Sequence, residues 1–395
     1  MTAPTSAVVL AAGEGSRLRP LTEYQSKPML PVANRPIIDY VVDALRNVDI
    51  TNIVVVVGHQ RRRLQDHLNR QYPELELSYI YQHHQLGSGD ALKQAVGEVS
   101  GEFVVVNGDN IIDAEMITGT IERYQRADVT AAVAVGQSDR SSDYGTVCLE
   151  NDRVTTILEH RSDDDQARIN VGVYVFDEEI FDALEQTSIK GGELSLTDAI
   201  PHLSGTVAPA VPDGVWFDPA YPWDLLAICE RLQSAHPELV AGSEKTPLVA
   251  ETARIHETAV VGDDTMIGPG CEVAAGAVLR NSVCLQSDVR VGANTVVNRS
   301  QIGSDSRIGA NAVVRDTVVG AEVSVGEAAA APGGAADFAV NEQIYRNKQL
   351  GSVVSDRATI GANVTLTPGT RIGPDVTISP GTTVSGSLLE NGVIR

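Results

Sequence analysis

Apolar residues recur at every sixth position through the C-terminal part of this chain. The series runs Ile255, Val261, Ile267, Val273, Leu279, Leu285, Val291 and Val297, then after a one-residue slip Ile302, Ile308 and Val314. After an interruption it returns with Val354, Ile360, Leu366, Ile372, Ile378 and Val384, and glycine often follows, as at Gly262, Gly268, Gly292, Gly309, Gly361 and Gly373. An α-helix cannot sustain such a period, because its faces repeat near 3.6 residues. Short strands joined by tight corners can, three to each turn of a triangular prism. The expectation is a parallel β-helix of hexapeptide repeats over residues 241–395. Residues 327–352 carry no such period and read as a loop or arm leaving the prism. In its known form this repeat coils left-handed, against the usual crossover rule.

Residues 1–240 follow another pattern and are expected to form a separate domain. Apolar β-branched runs at Ala7–Leu10, Ile53–Val57, Leu77–Tyr81 and Phe103–Asn107 alternate with amphipathic segments at Ile37–Arg46, Arg61–Arg70 and Ser88–Val96. That alternation predicts an α/β domain, Rossmann-like, with a mostly parallel sheet covered by helices. Ligands on such sheets gather at the carboxyl ends of the strands, and Gly13, Gly58 and Gly108 each lie just past one.

The net charge of −22 disfavours nucleic acid and anionic membranes as partners. Of the 30 basic residues only five are lysine, and an acidic, lysine-poor surface resembles that of proteins from salt-loving organisms. Cys148, Cys229, Cys271 and Cys284 are widely spaced and form no CxxC pair, so neither a disulfide framework nor a zinc site is expected. No apolar run is long enough to span a bilayer. A soluble, cytoplasmic protein is the expectation.

The stretch Leu10 to Thr22, LAAGEGSRLRPLT, sits at the mouth of the first strand and suits an anion. A dinucleotide fingerprint requires a third glycine where Leu18 stands, and a P-loop requires Gly-Lys-Ser/Thr, which is absent. What remains is a glycine turn whose backbone N–H groups hold a nucleotide while an arginine meets its phosphates. The chain continues Lys27-Pro28-Met29-Leu30-Pro31-Val32, then Arg35-Pro36-Ile37. The combination AAGxGSRLxPLT…KPMLPVxxxP resembles the sugar nucleotidyltransferases, the nucleotide-diphospho-sugar pyrophosphorylases. The enzymes most like it join this domain to a left-handed β-helix. They include glucose-1-phosphate uridylyl- and thymidylyltransferases and archaeal-type N-acetylglucosamine-1-phosphate uridyltransferases.

The resemblance implies roles residue by residue. Ala11, Ala12 and Gly13 would contact base and ribose through the backbone. Gly15, Ser16 and Arg17 would grip the triphosphate, with Arg17 the main catalytic cation, and Lys27 would meet the reacting phosphates. Gln82, Gly87 and Ser88, in Q…LGSGDA, would read a pyrimidine base. Asp109, in VVNGDN, and Asp218, in WFDPAYPWDLL, would bind Mg²⁺, a hard cation suited to carboxylates. Asp224 is expected to cap the helix that follows. Gly145, Glu159, Asn170 and Gly172 would contact the sugar. The family's Lys-Pro after the glutamate is His160-Arg161 here.

The implied reaction is one in-line displacement on the α-phosphorus of UTP or dTTP by a sugar 1-phosphate, with glucose 1-phosphate favoured and pyrophosphate leaving. Bifunctional archaeal relatives also transfer acetyl groups, using a histidine in the loop that interrupts the prism. Here Ala336 stands at that place beside Asp337, and no histidine follows His256. Acetyl transfer is therefore expected to be absent, and the prism to serve as scaffold and association surface, with a homotrimer as the expected assembly. The alternatives are a bifunctional uridyltransferase/acetyltransferase and a non-catalytic regulatory homologue.

Overall fold

The computed structural model describes residues 4–58, 60–126, 129–138, 143–158, 167–241, 248–341, 343–389 and 392–394. The chain resolves into two compact units. The first comprises Met1–Glu14, Ser26–Met29 and Ile37–Asp218; the second comprises Gly15–Gln25, Leu30–Pro36 and Pro219–Arg395.

In the first unit, strand β1 (Ser6–Ala11) is buried at all six positions. It pairs in parallel with β2 (Asn52–Val57) on one side and β4 (Phe103–Asn107) on the other. β3 (Glu76–Tyr81) extends the parallel set beyond β2. Such runs read Val-Val-Val-Val because both faces are covered. Helices α1 (Ile37–Arg46), α2 (Arg61–Gln71) and α4 (Ala114–Tyr124) contribute to one apolar cluster, and α3 (Ser88–Lys93) to the other. β5 (Ala131–Gln137), β6 (Thr146–Glu150), β7 (Arg153–Leu158) and β8 (Arg168–Phe176) add antiparallel neighbours, so the path reads β7-β6-β8-β4-β1-β2-β3, with β5 alongside β8. α3 stops at Lys93 rather than Val96; tighter turns carry the chain on until Gly97, in the left-handed region at φ 83°, ends them.

The second unit is a left-handed β-helix of stacked hexapeptide coils forming three parallel sheets. Three hexads complete one coil, so Ile267 pairs with Leu285 and Val273 with Val291. The sixth-position residues line the interior: Leu279, Leu285, Val297, Ile302 and Ile372 are wholly buried. Many corners turn through a left-handed residue, as Asp288 (φ 57°), Asn294 (57°), Asn311 (58°) and Asn363 (56°) do. Asparagine and aspartate tolerate that region better than other L-residues. At Gly270 the added Cβ would also strike the Asp288 carboxylate one coil away.

The slip at Val297 to Ile302 has a counterpart at Val314 to Val319. Both shorten the same corner, where Thr317 N–H donates to Ser300 Oγ at 3.1 Å. The coil then runs on through Val325 and Ala330–Ala331, which pair with the coils on either side, before the chain leaves the prism. The excursion is an antiparallel hairpin of Ala335–Val340 and Gln343–Gln349. Cys229 and Cys284 are free thiols whose Sγ atoms lie 2.9 Å apart, buried between helix α5 (Pro222–Ala235) and the prism. No helix of the described residues is long and apolar enough to cross a membrane.

Candidate functional site

The carboxyl ends of β1, β2, β3 and β4 carry most of the first unit's candidates. Ala11 is the last residue of β1 and Ala12 follows it, buried, its carbonyl accepting from Gln85 Nε2 at 2.9 Å. Gly13 is exposed, with open space where a Cβ would project. Past β2, a Cβ on Gly58 would come within 2.5 Å of the Ala12 carbonyl oxygen, so only glycine lets the two strand ends lie this close.

Gln82 follows β3 and is 4% exposed. Its Nε2 donates to Asp90 Oδ2 at 2.8 Å and to the Gly87 carbonyl at 3.2 Å. Both partners are acceptors, which fixes the orientation of the amide. Oε1 therefore faces away and accepts no hydrogen bond among the described residues. Gly87, at φ 99°, opens α3, and its Cβ would press on the Leu194 carbonyl. Ser88 Oγ accepts from Leu196 N–H at 3.0 Å, tying the start of α3 to the 194–196 segment.

Lys27 brings two distant carboxylates together. Its Nζ lies 2.7 Å from Asp218 Oδ1 and 2.9 Å from Asp109 Oδ2, and the residue is 7% exposed. Burial by itself pushes an ammonium down; Asp109 and Asp218 outweigh that and hold the Lys27 pKa above the ordinary lysine value. Asp109 is carried just past β4, and Asp218 follows Trp216–Phe217, which pairs antiparallel with Ile111–Ile112. That short pairing sets the two aspartates side by side. Among the described residues no group of three or more His, Cys, Asp or Glu forms a metal cage. Two carboxylates converging on one cation nonetheless fit Mg²⁺, which keeps waters and takes phosphate oxygens for its remaining ligands.

The sugar-side candidates sit where β8 changes register against β5, between Asn170 and Tyr174. The irregularity lets Gly172 take φ 79°, and a Cβ there would run into the Asn107 side-chain amide. Asn170 Nδ2 donates to Tyr174 Oη at 2.6 Å, and its Oδ1 accepts from Gly172 N–H at 3.2 Å. Gly145 accepts from Asn170 N–H at 2.9 Å. Gly145, Asn170 and Gly172 are thus joined directly. Glu159, His160 and Arg161 lie outside the described residues. Asn110, buried next to Asp109, donates to the Val171 carbonyl at 3.0 Å and pins the same irregular segment; the motifs gave it no role.

In the second unit, Gly15 takes φ 63° and starts a tight turn, Ser16–Leu18. Leu18 N–H donates to the Gly15 carbonyl at 2.9 Å, and Thr22 Oγ1 donates to the same oxygen at 2.9 Å. Ser16 is exposed and Leu18 fully buried, so the turn presents its polar side outward. The Arg17 guanidinium carbon lies 5.9 Å from the centre of the Tyr221 ring. Arg19 pairs with Glu23 four residues on, at 3.6 Å and in solvent. Asp224 is a cap: its Oδ2 accepts from Tyr221 N–H at 2.9 Å at the start of α5. Sequence reasoning missed Tyr221, which stacks on nearby Trp223 and also meets Tyr345 from far along the chain.

Residues 6–233 match the family described as Nucleotidyl transferase, residues 244–335 the GMPPB C-terminal domain, and residues 351–386 the bacterial transferase hexapeptide with six repeats. The chain is 33% identical over 224 residues to the bifunctional protein GlmU of Methanocaldococcus jannaschii, covering 56% of this chain and 52% of that protein. The matched stretch thus spans only about half the length of that relative. It is 31% identical to the low-salt glycan biosynthesis nucleotidyltransferase Agl11 of Haloferax volcanii, covering 68% of this chain and 73% of Agl11. It is 35% identical to the UTP–glucose-1-phosphate uridylyltransferase AglF of the same organism, covering 58% of this chain and 96% of AglF. A solved UDP-glucose pyrophosphorylase bound to UDP-glucose has the same fold, with TM-score 0.52 and 20% identity over 57% of this chain and 97% of that one.

Proposed function

Because this chain belongs to the nucleotidyl transferase family and carries its hexapeptide-repeat extension, we propose that it transfers a nucleotidyl group from UTP or dTTP to a sugar 1-phosphate. The products are a nucleotide sugar and pyrophosphate, and glucose 1-phosphate is the favoured acceptor. The convergence of Lys27, Asp109 and Asp218 past the sheet's strand ends is the observation that carries this reading. A binding module has no need to bury a lysine between two carboxylates.

An oxygen of the sugar phosphate attacks the α-phosphorus in line with the departing pyrophosphate. That oxygen is already ionised near neutral pH, so no side chain has to remove a proton. The work of the chain is to hold two polyanions in line and offset the charge that builds between them. Arg17 meets the leaving phosphates, with Gly15 and Ser16 gripping them through the turn, and Lys27 meets the phosphate under attack. Asp109 and Asp218 would hold Mg²⁺, which when bound polarises phosphate oxygens. Ala11, Ala12 and Gly13 face the base and ribose, with Gly87 and Ser88 shaping the far side of the base. Gln82 has its donor engaged by Gly87 and Asp90, leaving Oε1 for the N3–H of a uracil or thymine. Gly145, Asn170 and Gly172, joined to one another, contact the sugar together with Glu159.

The name of AglF supports UTP and glucose 1-phosphate. A pyrophosphate-release assay crossing several nucleoside triphosphates with several sugar 1-phosphates is expected to find turnover for a uridine or thymidine nucleotide with Mg²⁺. No pyrophosphate from any pair would sink the reading. The same preparation, given acetyl-CoA and glucosamine 1-phosphate, is expected to release no CoA, since Ala336 stands where relatives carry a histidine. The prism is proposed to associate the chains as a homotrimer in the cytoplasm; a light-scattering mass of one chain would refute it.

A further inference from the structure

Aromatic residues are scarce in this chain, with 10 Tyr, 5 Phe and 2 Trp in 395 residues. Four of them gather where the hairpin meets the start of α5. Tyr221 and Trp223 stack at 4.7 Å with an interplanar angle of 11°. Tyr345 lies 4.7 Å from Tyr221 and 5.3 Å from Trp223. Phe338, 2% exposed, lies 5.4 Å from Trp223. The Tyr345 and Tyr221 hydroxyls are hydrogen-bonded, and Tyr345 Oη also donates to Gln343 Oε1 at 2.9 Å. Tyr221 is thus held by a stacked ring and by a bonded hydroxyl. Its own ring carries the Arg17 guanidinium.

The turn bearing Arg17 is tied to the prism a second time. Ser355, 1% exposed, donates through Oγ to the Pro20 carbonyl at 2.9 Å. Tyr24 Oη donates to Asp375 Oδ2 at 2.9 Å. Arg357 grips the same carboxylate with two bonds of 2.7 Å, and its guanidinium lies 4.3 Å from the centre of the Tyr24 ring.

We propose that the β-helix unit aims Arg17. Tyr345 of the hairpin is a positioning residue that acts through Tyr221 on the guanidinium. Ser355, Arg357 and Asp375 position the turn that carries it. The hairpin thereby takes a part in nucleotidyl transfer rather than in acetyl transfer. This inference rests on the proposed reaction, because an arginine held off line matters only where charge develops in the transition state. Misplacement by an ångström remote from the chemistry costs on the order of 10²-fold in rate.

The test is steady-state kinetics of the full chain with Tyr345→Ala, Tyr345→Phe and Asp375→Asn, joined to hydrogen exchange over Gly15–Gln25. Tyr345→Ala is expected to lower kcat on the order of 10–100-fold, with the KM for sugar 1-phosphate unchanged. Tyr345→Phe, which keeps the ring, should recover most of it. In an Arg17→Ala background, Tyr345→Ala should cost nothing further, since residues that act through one group are non-additive. Asp375→Asn should raise amide exchange across Gly15–Gln25 and leave the sheet of the first unit protected. Unchanged kcat in Tyr345→Ala, a loss that persists in the Arg17→Ala background, or unchanged exchange in Asp375→Asn would each overturn the proposal. A wild type that releases no pyrophosphate refutes the functional reading instead, and the exchange arm still decides whether the prism holds the turn.

Discussion

Lys27 and Arg17 are both cations of one short sequence stretch, yet their surroundings set them different tasks. Lys27 is buried against two carboxylates, so Lys27→Met would leave like charges facing each other. Breaking a buried pair from one side costs about 3–5 kcal/mol. The variant is therefore expected to lose stability in urea denaturation as well as turnover. Arg17 is only half-buried and rests on a ring, so Arg17→Ala should leave the denaturation midpoint in place while kcat falls roughly 10²–10³-fold. A matching loss of stability in Arg17→Ala would contradict that division. Gly172→Ala tests the sugar side: the added methyl meets Asn107 and φ 79° strains any other residue. It should raise KM for the sugar phosphate in preference to that for the nucleotide. At this scale the sequence motifs pointed to Lys27, Asp109 and Asp218, which the structure brings together, because the proposed reaction between polyanions restricts which side chains serve. They gave no role to Asn110 or Tyr221. Those residues act by holding others, and no residue type is reserved for that.

At the scale of elements, legibility followed side-chain alternation. The hexads were readable because each coil buries its sixth residue against the next, and the buried strands of the sheet because both their faces are apolar. Two places were not readable, for physical reasons. Ala330–Ala331 continues the coil with side chains too small to register as an apolar period. The hairpin buries Phe338 and Val340 but exposes Ile344 and most of its other residues, so its sequence looks like a polar loop. The coils are also expected to be cooperative with one another. Ile308, 2% exposed, stacks between Val291 and Val325. Ile308→Ala should cost about 2–5 kcal/mol, seen as a lower midpoint in denaturation. Ser304→Ala, at a solvent-side corner, should shift it much less. Equal effects would show that the interior stack is not what holds the prism.

Across the whole molecule, a net charge of −22 sets a self-repulsion that local contacts must overcome. Screening length falls from about 10 Å at 0.1 M salt to about 3 Å at 1 M. The melting temperature is therefore expected to climb as KCl is raised over that range; a flat dependence would count against an adaptation to salt. The turn that carries Arg17 adds a constraint of time. Its anchors Ser355 and Asp375 lie 335 and 351 residues downstream of Pro20 and Tyr24. On the ribosome β1 emerges before the prism, and the sheet around it can close long before the coils bearing Ser355 and Asp375 exist. The stretch from Gly15 to Gln25 must wait with these partners unmade until Ser355 and Asp375 have been synthesised. A nascent chain would thus hold a folded core well before it holds a set arginine, and the coils bearing Ser355 and Asp375 would be the ones that arm the turn made so long before them.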